Sequence, residues 1–306
     1  MLGTRIYKEL KKNWQLYVLS LLPFIYIFIF AYVPMYGVLI AFKRFDPSMG
    51  ILGSKWVGMY YFKRFFDSPW FARTFMNTLR LSVYSMVMTF PFPIILALCL
   101  NVMVNRTLKK SVQMVTYLPF FISTIVIVNM IVLILNPRIG MIGKWLLAMS
   151  GGKINNVMAD PNAFRHIYVW SDVWQGTGWS SIIYIAALSG VSSEQTEAAI
   201  IDGTTRLQRV WYIDIPAIMP TIVITLIMRV GGLVNVGFEK ALLLQNDLNL
   251  ATSEVIPTYS YKVGLLMGSG DFSFGSAIGL FNSVINLVLL VAVNAVSKRV
   301  SETSLW

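Results

Sequence analysis

Long apolar runs separated by short polar segments dominate the hydrophobic pattern of this chain. Each run approaches or exceeds the roughly 20 apolar residues that a helix needs to cross a bilayer. We therefore predict an all-α membrane protein with six transmembrane helices. The predicted spans are about 16–42, 75–104, 112–135, 164–188, 215–236 and 274–296. No polar stretch is long enough for a separate soluble domain, so residues 1–306 are predicted to form a single transmembrane domain.

Composition agrees with a membrane protein and excludes several kinds of chemistry. Of the 306 residues, 56% are hydrophobic and 13% are charged, whereas soluble domains carry roughly 25% charged residues. The chain has one cysteine, Cys99, and one histidine, His166. These numbers exclude an intrachain disulfide and leave too few groups for a multi-cysteine metal site or histidine-based catalysis. We therefore predict no metal site and no catalytic residues.

The net charge of +11 does not indicate nucleic-acid binding, because the basic residues are spread through short loops beside apolar spans. With six spans, eleven Lys and Arg residues lie on the side that holds both termini and twelve lie on the other. The positive-inside rule therefore does not decide the orientation. Arg5, Lys8, Lys11 and Lys12 precede a run that is too long for a signal peptide, so we expect an uncleaved first span.

An aromatic and basic segment, about residues 43–73, separates the first two predicted spans. Its aromatic residues favour a helix that lies in the membrane interface. The alternative is a docking surface for an extracellular partner. The aromatic cluster consists of Tyr60, Tyr61, Phe62, Phe65 and Phe66.

A patterned polar loop, about residues 189–216, joins the predicted fourth and fifth spans. Ala198, Ala199, Ile200 and Ile201 are predicted to pack one helical face, while Glu197 and Asp202 stay polar. Gly203 is predicted to end or bend this helix, because glycine adopts backbone angles that other residues avoid. A second helical pattern follows at Leu207, Val210 and Trp211.

The spacing Glu197-Ala198-Ala199, Gly203 and Ile213-Asp214-Ile215-Pro216 resembles the EAA loop of ATP-binding-cassette (ABC) importer permeases. Ile215 stands where that family usually has Leu. The resemblance implies the type I ABC importer permease fold, with the loop and both termini in the cytoplasm. It also implies that the first helix of the loop is a coupling helix that contacts an ATPase subunit. The contact residues would be Glu197, Ala198, Ala199, Asp202 and Gly203. The alternative is a cytoplasmic helical hairpin without a partner.

The chain lacks the sequence Gly-x-x-x-x-Gly-Lys-Ser/Thr. The nearest fragment, residues 140–144, has the wrong spacing and no hydroxyl group for magnesium. We therefore expect this chain to bind no cofactor and to hydrolyse no ATP itself. ATP and Mg²⁺ would be bound by the partner ATPase subunits that the EAA loop implies.

The predicted fourth span carries the densest set of polar groups. Asp172, Gln175, Gly176 and Trp179 follow at i, i+3, i+4 and i+7, so they share one helical face. A carboxylate, an amide, an aromatic ring and exposed backbone suit a sugar. The alternative is that the tryptophan anchors the helix at the membrane interface and that Asp172 pairs with Arg229 or Arg80.

The predicted fifth span adds Arg229 and Asn235 as candidate substrate contacts. Polar groups inside spans are costly and usually face a bundle interior. In sugar importers that this chain resembles, the spans just before and just after the EAA loop supply the substrate contacts.

Further stretches resemble carbohydrate permeases of the LplB-like type, which are associated with oligosaccharide and polysaccharide uptake. These stretches are residues 12–17, 34–37, 41–43, 171–179 and 237–241. The resemblance implies a second, non-identical permease, two ATPase subunits, an extracellular solute-binding protein and a location in the bacterial cytoplasmic membrane. Two rival interpretations are an intramembrane enzyme that modifies glycans or lipids, and an ion-coupled secondary transporter. The first requires converging acid/base or metal-binding groups, and the second would be supported by two half-bundle repeats.

Overall fold

The computed structural model describes residues 12–152, 156–266 and 270–300. The basic residues Arg5, Lys8 and Lys11 lie outside the described residues. The described chain is almost entirely helical, apart from one two-stranded antiparallel ladder. It divides into two compact units. One comprises the described residues of 1–66 and 262–280, and the other comprises those of 67–261 and 281–306.

The first unit begins with α1, a helical run over Trp14–Phe42 that includes a π-helical turn at Phe28–Tyr32 and ends as a 3-10 helix from Tyr36. The remaining elements of its N-terminal part are β1 (Lys43–Arg44), α2 (Gly50–Gly53), β2 (Lys55–Trp56) and α3 (Tyr60–Phe66). Strands β1 and β2 pair in antiparallel register, with Lys43 opposite Trp56. The aromatic cluster is partly buried within this unit, since Phe65 packs against Phe274 in an edge-to-face contact.

The second unit contains the helices that surround the cavities described below. Its elements up to the EAA-like loop are α4 (Pro69–Thr89), α5 (Pro91–Val102), α6 (Arg106–Tyr117), α7 (Thr124–Leu135), α8 (Met141–Met149) and α9 (Pro161–Ser189). The later elements are α10 (Ser193–Ile201), α11 (Arg206–Gly231), α12 (Phe238–Leu244), α13 (Leu250–Ser253) and α14 (Ile256–Tyr261). The last helix, α15 (Phe272–Val300), has residues in both units.

Four of the described helices are long and apolar enough to cross a membrane. They are α1, the pair α4–α5 as one run over Pro69–Val102, α11, and α15 over Phe272–Lys298. The bent pair that contains α6 and α7 would make a fifth. Helix α9 has 29 residues, which is long enough to cross a bilayer, but its polar residues lower its hydropathy.

The predicted third span, about 112–135, is not one continuous helix in the structure. The run Arg106–Phe121 meets Thr124–Leu135 at an angle of 100°. Pro119 lies in a 3-10 turn before the bend, and Ile122 and Ser123 have extended backbone. A proline removes a backbone donor and favours a helix end, so the sequence held a signal for this break.

The predicted limits of the fifth span also differ from the structure. Helix α11 begins at Arg206, not at Ile215, because a π-helical turn over Val210–Asp214 joins the second loop helix to the apolar run. It ends at Gly231, not at Val236. A side chain at Gly231 would collide with Leu290, so glycine allows close approach to α15 here. The backbone beyond Gly231 is irregular up to α12.

Helix α9 is the central element of the second unit and packs against α4, α5, α6 and α11. Its approach to α6 is close, since any side chain at Gly178 would collide with the Thr116 carbonyl group. One apolar core cluster lies near the start of α9 around Tyr168 and Val169. A second lies near its end around Tyr184 and Leu188. Asp172, Gln175 and Thr177 lie between these two apolar clusters along α9.

Candidate functional site

Three cavities follow one side of α9. Cavity A has a volume of about 400 Å³, cavity B about 300 Å³ and cavity C about 240 Å³. Cavity C shares Asp172 and Gln175 with cavity A, and it shares Thr89 and Ser180 with cavity B. Cavity C therefore lies between the other two. The row extends from Tyr168 to Tyr184 along α9, a length of about 24 Å at 1.5 Å per residue.

Side chains from six helices and from the irregular segment after α11 line the row. Cavity A is bounded by α4, α7, α9, residues 232–237 and α12; cavity B is bounded by α4, α5, α9 and α11. The polar side chains in the lining carry hydroxyl, amide or charged groups. They include Ser82, Ser85, Thr89, Thr124, Asp172, Gln175, Thr177, Ser180, Thr225, Arg229, Asn235, Glu239 and Lys240. Such groups donate and accept hydrogen bonds, as a hydroxyl-rich ligand requires.

Asp172 forms an ion pair across cavity A. Its Oδ1 atom lies 2.6 Å from Nζ of Lys240, which comes from α12. The Lys240 side chain is only 6% exposed and the Asp172 side chain 29%. The alternative expectation that Asp172 pairs with Arg229 or Arg80 is wrong, because the irregular segment after Gly231 carries Lys240 back onto α9.

Burial and pairing act in opposite directions on Lys240, which lies beyond the end of α11. Burial lowers the pKa of its ammonium group, and the Asp172 carboxylate counteracts part of that change. The ammonium group also lies 5.3 Å from the centre of the Tyr168 ring, within the range of a cation–π interaction. Two neighbours on successive turns of α9 therefore hold this buried cation.

Arg229 lines all three cavities. Its Nη1 atom donates a hydrogen bond to Oγ1 of Thr89 at 3.3 Å. Within residues 12–152, 156–266 and 270–300, no carboxylate oxygen lies within 4.0 Å of its guanidinium group. Arg229 is thus a cation at the junction of the row with a neutral hydroxyl group as its hydrogen-bond partner.

Five of the six predicted substrate contacts lie at these cavities. Asp172, Gln175 and Arg229 line both A and C, Gly176 lines C, and Asn235 lines A. The amide of Gln175 donates to the Ile122 carbonyl at 3.3 Å, which connects α9 to the bend before α7. A side chain at Gly176 would meet open space, so this glycine leaves room in cavity C.

Trp179 is the exception among the predicted contacts. It is absent from the described residues that line the three cavities. Its ring stacks on Phe120 with centroids 4.6 Å apart and an interplanar angle of 2°. Phe121 meets the same ring edge-on at 5.5 Å. Because Phe120 lines cavity C, Trp179 contacts a residue of the cavity wall without lining the cavity itself.

Sequence reasoning missed Lys240, Tyr168, Thr89 and the serines of α4 as cavity residues. Helical periodicity finds residues on one face of one helix but does not show which side chains of other helices face it. For Lys240 a signal existed, since a lysine shortly after an apolar span and a glycine pair is a candidate partner for a carboxylate in a neighbouring span.

The EAA-like loop forms a second candidate site. Helix α10 starts at the cap residue Ser192, whose Oγ accepts a hydrogen bond from the Glu194 amide at 3.2 Å. Gly203 follows its end with a φ of +76°. The Thr204 amide donates to the Ala199 carbonyl at 3.0 Å. This left-handed glycine at a helix end is the conformation that favours glycine over other residues.

Residues of α10 and its end are mostly exposed on the chain. Glu197, Ala198, Asp202 and Gly203 are exposed, and Ala199 is half-buried. The expectation that Ile200 and Ile201 pack a helical face within the chain is wrong, because their side chains are 61% and 85% exposed. Two neighbouring isoleucines exposed beside a carboxylate form a surface that suits a protein partner.

The second helix of the loop starts with a capping box. The Thr205 amide donates to Oε1 of Gln208, and the Gln208 amide donates to Oγ1 of Thr205. Asp214 is 1% exposed and pairs with Arg209 at 3.4 Å. These contacts make the first turns of α11 continuous with the second helix of the loop.

Known proteins are similar to this chain over most of its length. The family model described as "Binding-protein-dependent transport system inner membrane component" matches residues 89–302. Protein LplB of Bacillus subtilis is 39% identical over 97% of this chain and 92% of its own length. The polygalacturonan/rhamnogalacturonan transport system permease protein YteP of the same organism is 37% identical over 99% of this chain and 93% of its own length.

A solved structure is also similar to this chain. A chain in the crystal structure of a bacterial alginate ABC transporter, in complex with an alginate pentasaccharide-bound periplasmic protein, superposes with a TM-score of 0.87. It is 35% identical to this chain, and the match covers 98% of this chain and 100% of the other.

Proposed function

Since the chain belongs to the family of binding-protein-dependent transport system inner membrane components, we propose that it imports oligosaccharides as one permease subunit of an ATP-driven transporter. YteP is named for polygalacturonan and rhamnogalacturonan, and the matched crystal structure is of an alginate transporter. The observation that carries the proposal is the row of polar-lined cavities along α9, inside the membrane-spanning part of a permease. Family membership decides against an intramembrane enzyme and against an ion-coupled transporter.

The proposed arrangement has six membrane spans, with α9 and the bent pair α6–α7 as the fourth and third. Both termini and α10 face the cytoplasm of a bacterial cell, and residues 43–73 lie on the outer side. The exposed α10 helix supports this arrangement, because a loop that serves only as a connection does not need two capped helices and an exposed apolar surface.

The proposed mechanism is alternating access. A solute-binding protein delivers the oligosaccharide, and a second, non-identical permease completes the path. Two ATPase subunits bind ATP and Mg²⁺, close, and push α10, with contacts at Glu197, Ala198, Ala199, Asp202 and Gly203. Helix α11 transmits the movement, because it starts in the loop and carries Arg229 in its last turn, beside the cavities. Asp172, Gln175, Gly176, Arg229 and Asn235 contact the substrate in this scheme.

Co-purification and ATP hydrolysis test the proposal. The tagged chain, expressed with its neighbouring genes, should bring down an ATPase and a second membrane protein. The purified complex in nanodiscs should hydrolyse ATP faster when a binding protein loaded with an oligosaccharide is added. A chain that purifies alone, or a complex that no oligosaccharide stimulates, would contradict the proposal.

A further inference from the structure

We propose that Arg229 binds a carboxylate group of the substrate, so that the cavity row selects oligosaccharides of uronic acids over neutral ones. This inference rests on the proposed function, since it requires that the cavities hold an oligosaccharide. It adds the charge of the substrate and the residue that recognises it.

The lining of the row contains two acidic and two basic side chains, namely Asp172, Glu239, Arg229 and Lys240. Asp172 and Lys240 form an ion pair with each other at 2.6 Å. Glu239 is exposed and lines cavity A only. At the junction of the three cavities this leaves the guanidinium group of Arg229 as the charge without an ion-pair partner among the described residues.

The hydrogen bond to Thr89 uses only part of the donor capacity of the Arg229 guanidinium group. Thr89 Oγ1 accepts one hydrogen bond, at 3.3 Å, whereas a guanidinium group has five N–H donors. Arg229 also lies in the last turn of α11, where the helix dipole favours a cation, but that effect is small and limited to the last turn. An arginine in a membrane span is costly and usually has a partner or a function.

The ligand group that fits the Arg229 guanidinium group is a carboxylate. A carboxylate matches the planar fork of a guanidinium group and accepts two parallel hydrogen bonds. A neutral hydroxyl group cannot compensate the charge. Arg229 is reachable from each cavity of the row, so successive uronate units of one chain pass the same cation. Serine, threonine and amide groups along the row are then available for the sugar hydroxyls.

Binding to the complete transport complex tests the inference, with the complex held in nanodiscs without the solute-binding protein. The two probes are a galacturonate pentasaccharide and its methyl ester, which has the same sugar units but no charge. We expect the wild type to bind the free acid about tenfold more tightly than the ester, the ratio expected of one charge-assisted hydrogen-bonded pair. The preference should shrink as the salt concentration rises.

Two variants and one control assign the effect. Arg229→Gln should bind the acid and the ester equally, and Arg229→Lys should keep part of the preference because it keeps the charge. Arg80→Gln is the matched control, since Arg80 is an exposed arginine of α4 outside the lining of the row. Co-elution with the partner subunits establishes that each variant assembles, and the salt dependence of the wild type tests the inference even if Arg229→Gln does not assemble.

The outcomes separate the inference from the function on which it rests. Equal binding of acid and ester by the wild type, or an unchanged preference in Arg229→Gln, overturns the role of Arg229. A wild-type complex that binds neither probe but hydrolyses ATP in response to a neutral oligosaccharide overturns the inference and keeps the proposed function. A complex that responds to no oligosaccharide contradicts both.

Discussion

At the scale of single residues, the cavity row depends on the ion pair between Asp172 and Lys240. The ammonium group is almost fully buried and has the carboxylate at 2.6 Å. A buried pair contributes little net stability when compared with an apolar pair of the same shape, but the loss of one partner leaves the other charge without compensation. The pair therefore fixes the position of α12 against α9 more than it strengthens the fold.

The first prediction concerns this pair. Lys240→Met should destabilise the complex by about 3 kcal/mol, because the Asp172 carboxylate loses its partner. The double variant Asp172→Asn/Lys240→Met should recover most of that loss. Thermal unfolding of the purified complex, measured for the wild type, both single variants and the double variant, gives the coupling energy. Additive effects of the two substitutions would show that the pair has no such role.

The second prediction concerns Trp179. Trp179→Ala should weaken uptake without loss of assembly, because Phe120 loses the ring on which it stacks and cavity C loses a fixed wall. Aromatic pairs contribute about 0.5–1.5 kcal/mol beyond area burial, so KM should rise a few-fold while Trp179→Phe stays close to wild type. Trp174, which is 51% exposed and outside the lining of the row, supplies the control Trp174→Ala. Equal uptake kinetics for both alanine variants would remove Trp179 from the site.

At this scale the sequence predicted the polar face of α9 but not its partners. The i, i+3, i+4 spacing of Asp172, Gln175 and Gly176 is a property of one helix, and the structure places all three at the cavities. The ion pair with Lys240 depends on the path of an irregular segment, which no periodicity describes. The ring contact of Trp179 depends on a 3-10 turn that contains Pro119.

At the scale of elements, Gly203 and a capping box join α10 to the start of α11, and α11 continues into an apolar run. The left-handed Gly203 and the capping box at Thr205 and Gln208 set the angle between the two helices. The buried carboxylate of Asp214 then fixes the first turns of α11 through Arg209. A displacement of α10 can therefore move a helix whose other end carries Arg229.

The third prediction concerns Glu197, which is exposed on α10. Glu197→Lys reverses the charge of the surface that we propose contacts the ATPase, and it should abolish substrate-stimulated ATP hydrolysis in the reconstituted complex. Membrane insertion should be unaffected, because the Glu197 side chain is exposed on the chain. Glu194→Lys, in the first turn of the same helix, is the matched control for charge. Normal coupling in Glu197→Lys would count against the role of α10.

The hydrophobic pattern predicted where apolar helices lie better than where they begin, bend and end. It placed the helical runs around α1, α4–α5, α9, α11 and α15. It did not predict that α11 starts at Arg206. The residues before Ile215 have an amphipathic pattern, which predicts a separate loop helix instead of the start of the span. The 100° bend before α7 follows Pro119, a signal of a helix end that apolar content alone does not carry.

At the scale of the whole molecule, many large apolar side chains of the described residues are exposed. None of the most apolar part of α1 is buried among the described residues. Lipid and the proposed second permease are the surroundings that such a helix requires. In the proposed assembly this chain supplies the path for the substrate, and the partner ATPases bind the nucleotide.

The fourth prediction concerns orientation, which the charge counts do not decide. Cysteines introduced by Glu197→Cys and Lys55→Cys, in a Cys99→Ser background, should differ in their reaction with a membrane-impermeant maleimide. Lys55→Cys should react in intact cells, and Glu197→Cys only after the membrane is permeabilised. Labelling of Glu197→Cys in intact cells would invert the proposed topology.

The most direct test of the account measures solute accumulation in proteoliposomes. We expect the purified chain alone to produce no accumulation of a galacturonate or other oligosaccharide above its outside concentration, with or without ATP. The complete complex with its binding protein should accumulate the sugar, and the accumulation should stop when Mg²⁺ is chelated. Uphill accumulation by the chain alone would contradict the claim that partner ATPases drive its movement.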